Sequence, residues 1–453
     1  MSAYFWNNPT TILFAILAVL ILDNLWSMYL LLREIAVVTE TRKVPDVLRQ
    51  YLPQEIFNRM RAYKLHKSWF SLVNTFIFVL VFGCLELFFG FYAVVWYVAS
   101  KCAFAKWMQQ ELFISVIYVL LLGIYLTLKA LPGALYERFC IPKLHKRRKV
   151  SLARRICGEI CDTVVAVVTI VLVVMVIVSL CLALGIYSFV GLFCLSCVMT
   201  VLLILLMPVI IIPCIGKRVP FENMPLKADL EKLTESIGFP FRQVYLIKVN
   251  DPNTGSNAFF YGSCCLKRIV IFDTVLYNRG LKDTSLLEPD QIGKGLINSQ
   301  VVAVVAHELG HWHHGHFYKA IIMFKVHVLI TLLLFGICYP HGPIYQAVGF
   351  EKGVQPVLAG FIIIFGFVLT PYMTFSNFFM LSVTRYFEYQ ADEFAFELGY
   401  ARDLRHALLK LYADNLSFPI SDSCYASWRH THPTMLDRLR TLEELETGMA
   451  WTV

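Results

Sequence analysis

The sequence predicts a mainly α-helical integral membrane protein, with seven transmembrane helices joined to a water-facing part that holds a small antiparallel β-sheet. Three observations carry that expectation. Hydrophobic residues fill 58% of the 453 positions and charged residues only 16%, with a mean hydropathy of +0.62. Soluble domains carry roughly 25% charged residues, so this chain cannot clothe an ordinary soluble surface. Seven apolar runs reach the length of about 20 residues that a helix needs to cross about 30 Å of hydrocarbon. The polar residues gather in blocks between and after those runs. Such a composition excludes a disordered chain, a nucleic-acid-binding tail protein and a typical cytosolic enzyme.

The runs are Thr10–Leu32, Ser71–Val98, Leu112–Leu131, Val164–Ile186, Val190–Cys214, Phe317–Tyr339 and Val357–Val383. No charge falls between Asp162 and Lys217, a stretch too long for one span, and Gly185 and Gly191 bracket the expected turn within it. The first run lacks a basic start and a small-residue cleavage site, so it reads as an anchor and not as a removable signal. Pro371 inside the last run should kink it or end a helix segment. The 13 cysteines are scattered, mostly in apolar runs. Cys194 and Cys197 form a CxxC in an uncharged run, where packing is a better reading than redox or metal chemistry.

Basic residues set the orientation. Eight Lys or Arg lie between Arg33 and Lys67, and nine between Lys129 and Arg155, including the run from Lys146 to Lys149. The alternate loops hold two (Lys101 and Lys106), none, and one (Lys352). The N-terminus is therefore expected on the lumenal side, with Gly216–His316 and the C-terminus cytosolic. Asp23, Glu86, Lys325 and His327 lie at or near hydrocarbon depth, where ionised groups are costly. They fit either interhelical pairs or a hydrated chamber.

Two cytosolic blocks look folded, Gly216 to about His316 and about Arg385 to Val453. Pro225–Ile237 reads as an amphipathic helix stopped by Gly238 and Pro240. Gln243–Val249, Asn257–Tyr261 and Arg268–Phe272 are short runs rich in Val, Ile, Tyr and Phe. Turn residues such as Asp251-Pro252-Asn253 and Gly262-Ser263 separate them, so they read as antiparallel strands. Pro289–Lys294 is a polar loop, and a helix should start near Ser299 and run into His307.

That helix carries the sharpest signal, His307-Glu308-Leu309-Gly310-His311. Imidazoles at i and i+4 share a helix face and can reach one metal ion. Glu308 sits about 100° round from His307, placed to serve a water without being a ligand. Gly310 is small where a larger side chain would crowd the metal. His313, His314 and His316 add imidazoles with no assigned role, and His316 could attract adventitious metal. A catalytic zinc takes three protein ligands. Glu388 and Asp392 share a face of the helix leaving the last span; Glu388 can ligate while Asp392 orients a ligating histidine through its second nitrogen. An exposed surface carboxylate pair is the bland alternative, and it fits less well at the membrane face.

Together these motifs resemble the type I CaaX prenyl proteases, the seven-span zinc metalloproteases of the endoplasmic reticulum that process prenylated a-factor and prelamin A precursors. The likeness covers most of the chain and is densest after Pro213. It includes Ser256 to Phe260, Arg268 to Thr274, His307 to Trp312, Arg385 to Asp392, and His432-Pro433-Thr434 with Arg438-Leu439. Leu131-Pro132 and Tyr136 to Phe139 add to it. The resemblance implies a barrel of seven helices around a chamber, closed at its cytosolic end by one zinc ion on His307, His311 and Glu388, with Glu308 as general base. It further implies substrate-binding roles for Asn257, Ala258 and Phe259 on a strand that an extended peptide joins. His432 and Arg438 are implied to approach the zinc, His432 as a donor to the developing oxyanion and Arg438 as a partner for the substrate's terminal carboxylate or a holder of the site. Arg429 stands where close relatives usually carry histidine, and Thr384 where they carry serine.

The expected partners are prenylated CaaX proteins or peptides and the lipid bilayer, with no nucleic acid and a monomeric enzyme. A broad membrane quality-control zinc protease is the competing enzyme reading, though those have fewer spans. A site-2-type protease would need a Leu-Asp-Gly that the chain lacks. A transporter or non-catalytic scaffold would not need a complete zinc set. The organisation expected is five spans over 1–215, a metalloprotease domain over 216–316, two spans over 317–384, and the rest of the catalytic domain over 385–453.

Overall fold

The computed structural model describes residues 6–141, 152–250, 257–262, 267–281, 283–287, 291–415 and 417–448. The basic run 146–149, the turn at 251–253, Ser256, Ser263 and Pro289 lie outside these residues. The principal helices before the sheet are α1 (Pro9–Glu40), α2 (Gln54–Phe88), α3 (Phe91–Cys102), α4 (Glu111–Leu135), α5 (Leu152–Leu184) and α6 (Ser188–Leu206). Strands β1 (Gly216–Val219), β2 (Val244–Val249), β3 (Ala258–Tyr261) and β4 (Arg268–Phe272) follow, with α7 (Met224–Ser236) between the first two. The principal helices after the sheet are α8 (Asn298–His313), α9 (His316–Cys338), α10 (Val357–Val368), α11 (Thr370–Glu397), α12 (Ala401–Asp414), α13 (Ser423–Arg429) and α14 (Met435–Thr447).

Six of the described helices are long and apolar enough to cross a membrane, and α10 with α11, bent by 64°, brings the number to seven if the pair is counted as one broken span. The bend falls at Leu369, and Pro371 opens the second half, where its missing N–H is tolerated. The second run breaks differently from expectation. Instead of one helix over Ser71–Val98, α2 starts at Gln54 and ends at Phe88, and Gly90 turns the chain into α3. Gly90 has φ +64°, and a Cβ there would lie 3.3 Å from the backbone of Gly349, so a side chain would be strained and tightly packed.

One compact unit comprises Met1–Ile35, Tyr63–Cys197 and Val326–Ser376. Its core joins Leu87, Tyr118, Val178, Phe335, Tyr345 and Ile364, while Val165 and Val168 remain more than half exposed, as suits a lipid-facing surface. Three of the embedded polar groups, Glu86, Asp23 and His327, form pairs between helices. Glu86 accepts from Tyr92 (3.1 Å) and Tyr125 (2.6 Å) and meets Lys129. Thr374 donates to Asp23 (2.7 Å), and the His327 ring lies 2.7 Å from Ser376 Oγ. Each group thereby regains part of the solvation lost at that depth.

The other unit comprises Ala36–Ala62, Val198–Lys325 and Asn377–Val453. Its sheet has the order β1-β2-β4-β3 and is mixed, not antiparallel throughout: β2 and β4 run parallel, while β1–β2 and β3–β4 are antiparallel. The hairpin of β3 and β4 returns the chain beside β2 in the same direction, leaving β3 as an edge. The core combines Ile247, Ile269, Val270 and Ile271 of the sheet with Leu230, Val301, Val305, Leu309, Ala395 and Leu404 from four helices. The segment counted above as a basic loop folds here too, with Leu48, Leu52 and Phe57 buried against Leu409, Met435 and Leu439.

Candidate metal centre

Helix α8 is buried along nearly its whole length from Val301 to Gly310, which fixes the rotation that presents His307 and His311 together. The two Nε2 atoms lie 3.3 Å apart. Glu388 on α11 reaches both, with Oε2 3.6 Å from His307 Nε2 and Oε1 3.4 Å from His311 Nε2. The three residues offer ligand atoms within 4.8 Å of one another. Gly310 makes this approach possible, for a reason other than the one expected. A Cβ there would meet the backbone Cα of Ala391 at 2.9 Å, so the glycine lets α8 and α11 touch three residues beyond Glu388.

Asp392, one turn after Glu388, is fully buried and places Oδ1 2.8 Å from His307 Nδ1. Arg438 forks onto the same carboxylate, with Nε to Oδ2 at 2.8 Å and an Nη2 to Oδ1 at 2.6 Å, and its Nη1 lies 3.5 Å from Glu388 Oε2. Thr434 caps α14, the helix that carries Arg438. The guanidinium is buried and engaged with both of these carboxylates. His432 is 60% exposed with Nδ1 2.9 Å from Glu388 Oε2. Arg385 anchors the segment before it by donating to the His430 carbonyl at 2.9 Å.

Glu308 accepts the Phe260 backbone N–H at 2.9 Å. That bond ties the carboxylate to the outer edge of β3. Residues two apart in an antiparallel strand point their main-chain groups the same way. The Asn257 carbonyl accepts from Phe272 in β4, so the groups of Phe259 also face inward while those of Ala258 and Phe260 face out. Ala258 thus presents its main-chain N–H and C=O outward, and the exposed Asn257 and half-buried Phe259 flank it. His316, suspected as a stray metal ligand, is instead buried beside His311.

The donor set fits a zinc ion. Two imidazoles present Nε2 and one carboxylate presents oxygen to a common point, with the far nitrogen of each ring already engaged. Burial pushes the Glu308 carboxyl up, against the pull of His311 and His307. Burial disfavours a proton on His307, as does Arg438, yet the hydrogen bonds to Asp392 and Glu388 prevail and lift it to about 9. A ligating imidazole must be neutral. Metal binding at pH 7 should therefore displace a proton, and zinc affinity should fall as pH drops below about 9. Calorimetry in buffers of different ionisation enthalpy measures this; a binding heat independent of buffer would contradict it.

A membrane-spanning chain with a His-Glu-x-x-His helix and a glutamate completing a buried donor set defines a membrane metallopeptidase. The comparisons agree. The family model described as CAAX prenyl protease N-terminal, five membrane helices, matches residues 34–217, and that of peptidase family M48 matches residues 220–446. The chain is 32% identical over 444 residues to the Homo sapiens "CAAX prenyl protease 1 homolog", covering 93% of each. It is 29% identical to the Saccharomyces cerevisiae "CAAX prenyl protease 1" over 92% of this chain and 91% of that one. The crystal structure of S. mikatae Ste24p superposes with a TM-score of 0.80 at 26% identity, covering 95% of this chain and 99% of that chain. The chain belongs to the M48 peptidases of the CAAX prenyl protease family.

Proposed function

We propose that this membrane metallopeptidase removes the C-terminal tripeptide from prenylated CaaX proteins, using one zinc ion on His307, His311 and Glu388. The observation that carries the reading is the convergence of that donor set with Glu308 at the free edge of β3. Bound there, zinc supplies Lewis acidity, which acidifies water and polarises a peptide carbonyl. The chain's own residues do the rest. An extended peptide pairs with the outward main-chain groups of Ala258, flanked by Asn257 and Phe259. Glu308 takes a proton from the attacking water as the new C–O bond forms. It then returns that proton to the amine as the C–N bond breaks. His432 is placed to donate to the carbonyl oxygen as charge develops. Asp392 and Arg438 hold His307 and Glu388 in position.

The membrane supplies the preference for a lipidated substrate. Helix α9 begins five residues after His311, and α11 carries Glu388 out of the seventh span. A prenyl group partitions to that same level, at about 0.8 kcal/mol per buried CH₂. Matched prenylated and plain peptides, cleaved by purified protein in detergent, test this. The prenylated one should show a strongly higher kcat/KM, while exchanging the last three residues for other small apolar ones matters less. Equal cleavage of both peptides would overturn the specialised reading in favour of a broad quality-control protease.

In this reading the enzyme works as a monomer in the endoplasmic reticulum membrane, N-terminus lumenal and catalytic part cytosolic, as the basic loops demand. A glycosylation acceptor placed in 340–356 should be modified and one in 274–286 should not. The reverse pattern would contradict the orientation.

A further inference from the structure

We propose that His316 is a positioning residue that fixes the tautomer and aim of His311, acting with Gln390 as a neutral relay. The inference rests on the zinc reading above. His316 Nδ1 lies 2.9 Å from His311 Nδ1, and His316 Nε2 lies 3.1 Å from Gln390 Oε1. An amide oxygen only accepts, so the proton of the neutral His316 ring sits on Nε2 and its Nδ1 is left as an acceptor. His311 must then donate from Nδ1, which frees the Nε2 lone pair to face Glu388 and the metal position. The opposite polarity would put a proton on His311 Nε2 and block ligation.

The chain is built to hold this contact. Gly315, at φ +65°, reverses the backbone between α8 and α9, so that His316 folds back onto the helix it has just left. The ring is 4% exposed and stacks on Phe387, centroids 4.2 Å apart and planes at 11°. Phe387 and Gln390 bracket the ligand Glu388 on α11. One helix therefore orients both histidines, His307 through the carboxylate of Asp392 and His311 through Gln390 and His316. The difference has an electrostatic reason. Glu388 and Asp392 already bring two buried carboxylates, and Arg438 answers them with one positive charge. A second orienting carboxylate would add a further buried charge, whereas a neutral imidazole orients without any.

The test measures zinc affinity by chelator competition on the full-length protein in detergent, with melting of the metal-free protein as a check on folding. His316→Phe keeps the stacking on Phe387 but cannot accept, and should weaken zinc binding by about 10–100-fold, as loss of a ligand's hydrogen-bond partner does. His316→Asn, whose Oδ1 takes the place of Nδ1, should recover most of that loss. Gln390→Leu, which releases the tautomer, should fall between. Cobalt-loaded protein should show a shifted ligand-field spectrum in the Phe variant and not in the Asn variant. Wild-type affinity in His316→Phe, or equal loss in Phe and Asn variants, would reduce His316 to packing and overturn the proposal. His311→Ala is the control for the underlying reading: wild-type zinc affinity there would mean that His311 is not a ligand, and would overturn both.

Discussion

Glu308→Gln should retain its zinc and lose turnover by at least the 10²–10⁴-fold that a general base contributes (an order-of-magnitude expectation). The three candidate ligand atoms belong to His307, His311 and Glu388, and none to residue 308. A glutamine side chain can still accept the Phe260 N–H through its oxygen, so the edge of β3 and the helix below it keep their places. What it cannot do is take a proton from water and hand it to the amine. Metal analysis and steady-state kinetics on one preparation separate the two roles. Metal-free variant protein would show that Glu308 helps to hold the ion, and near-normal turnover would show that another group moves the proton.

Arg438→Met should have the largest effect on stability. Asp392 is wholly buried, and the guanidinium makes two of its charge-assisted contacts at 2.8 and 2.6 Å. Removing one partner of such a pair strands the other charge, which costs about 3–5 kcal/mol. The single variant should melt well below wild type and bind zinc poorly, because His307 loses a well-placed Asp392. Arg438→Met with Asp392→Asn should recover part of the melting temperature, since the charge on Asp392 is then removed together with its partner. If Arg438 instead served the substrate's carboxylate, the single variant would raise KM and leave melting and zinc binding unchanged.

How much of this was readable in the sequence varied with the kind of physics involved. Apolar length announced the spans, because lipid demands it of any crossing helix. It did not announce the break at Gly90, which is set by the backbone of Gly349, a contact of very long sequence separation. Strand β1 escaped notice because four residues, two of them Lys217 and Arg218, have no readable alternation. The parallel pairing of β2 with β4 was missed for a related reason. Short links suggest antiparallel neighbours, and here the antiparallel partner of β4 is β3, which takes the sheet edge.

The candidate ligands were visible because helical spacing alone puts His307 with His311 and Glu388 with Asp392. Their support was less so. Gly310 reads as room for a metal until Ala391 is seen against it, and His316 reads as a spare imidazole until Gly315 turns it back. A charge count over 33–67 hid a buried cluster around Phe57, because Lys and Arg on the surface of a folded segment look like a loop.

The central claim is that a zinc centre on α8 and α11, served by Glu308, cuts after a prenylated cysteine. The most direct measurement is the mass spectrum of the product that purified protein makes from a prenylated CaaX peptide. The expected product has lost three C-terminal residues, forms with the wild type, and is absent with Glu308→Gln or after chelation until zinc is restored. A cut at another bond, or the same product from Glu308→Gln, would contradict the account.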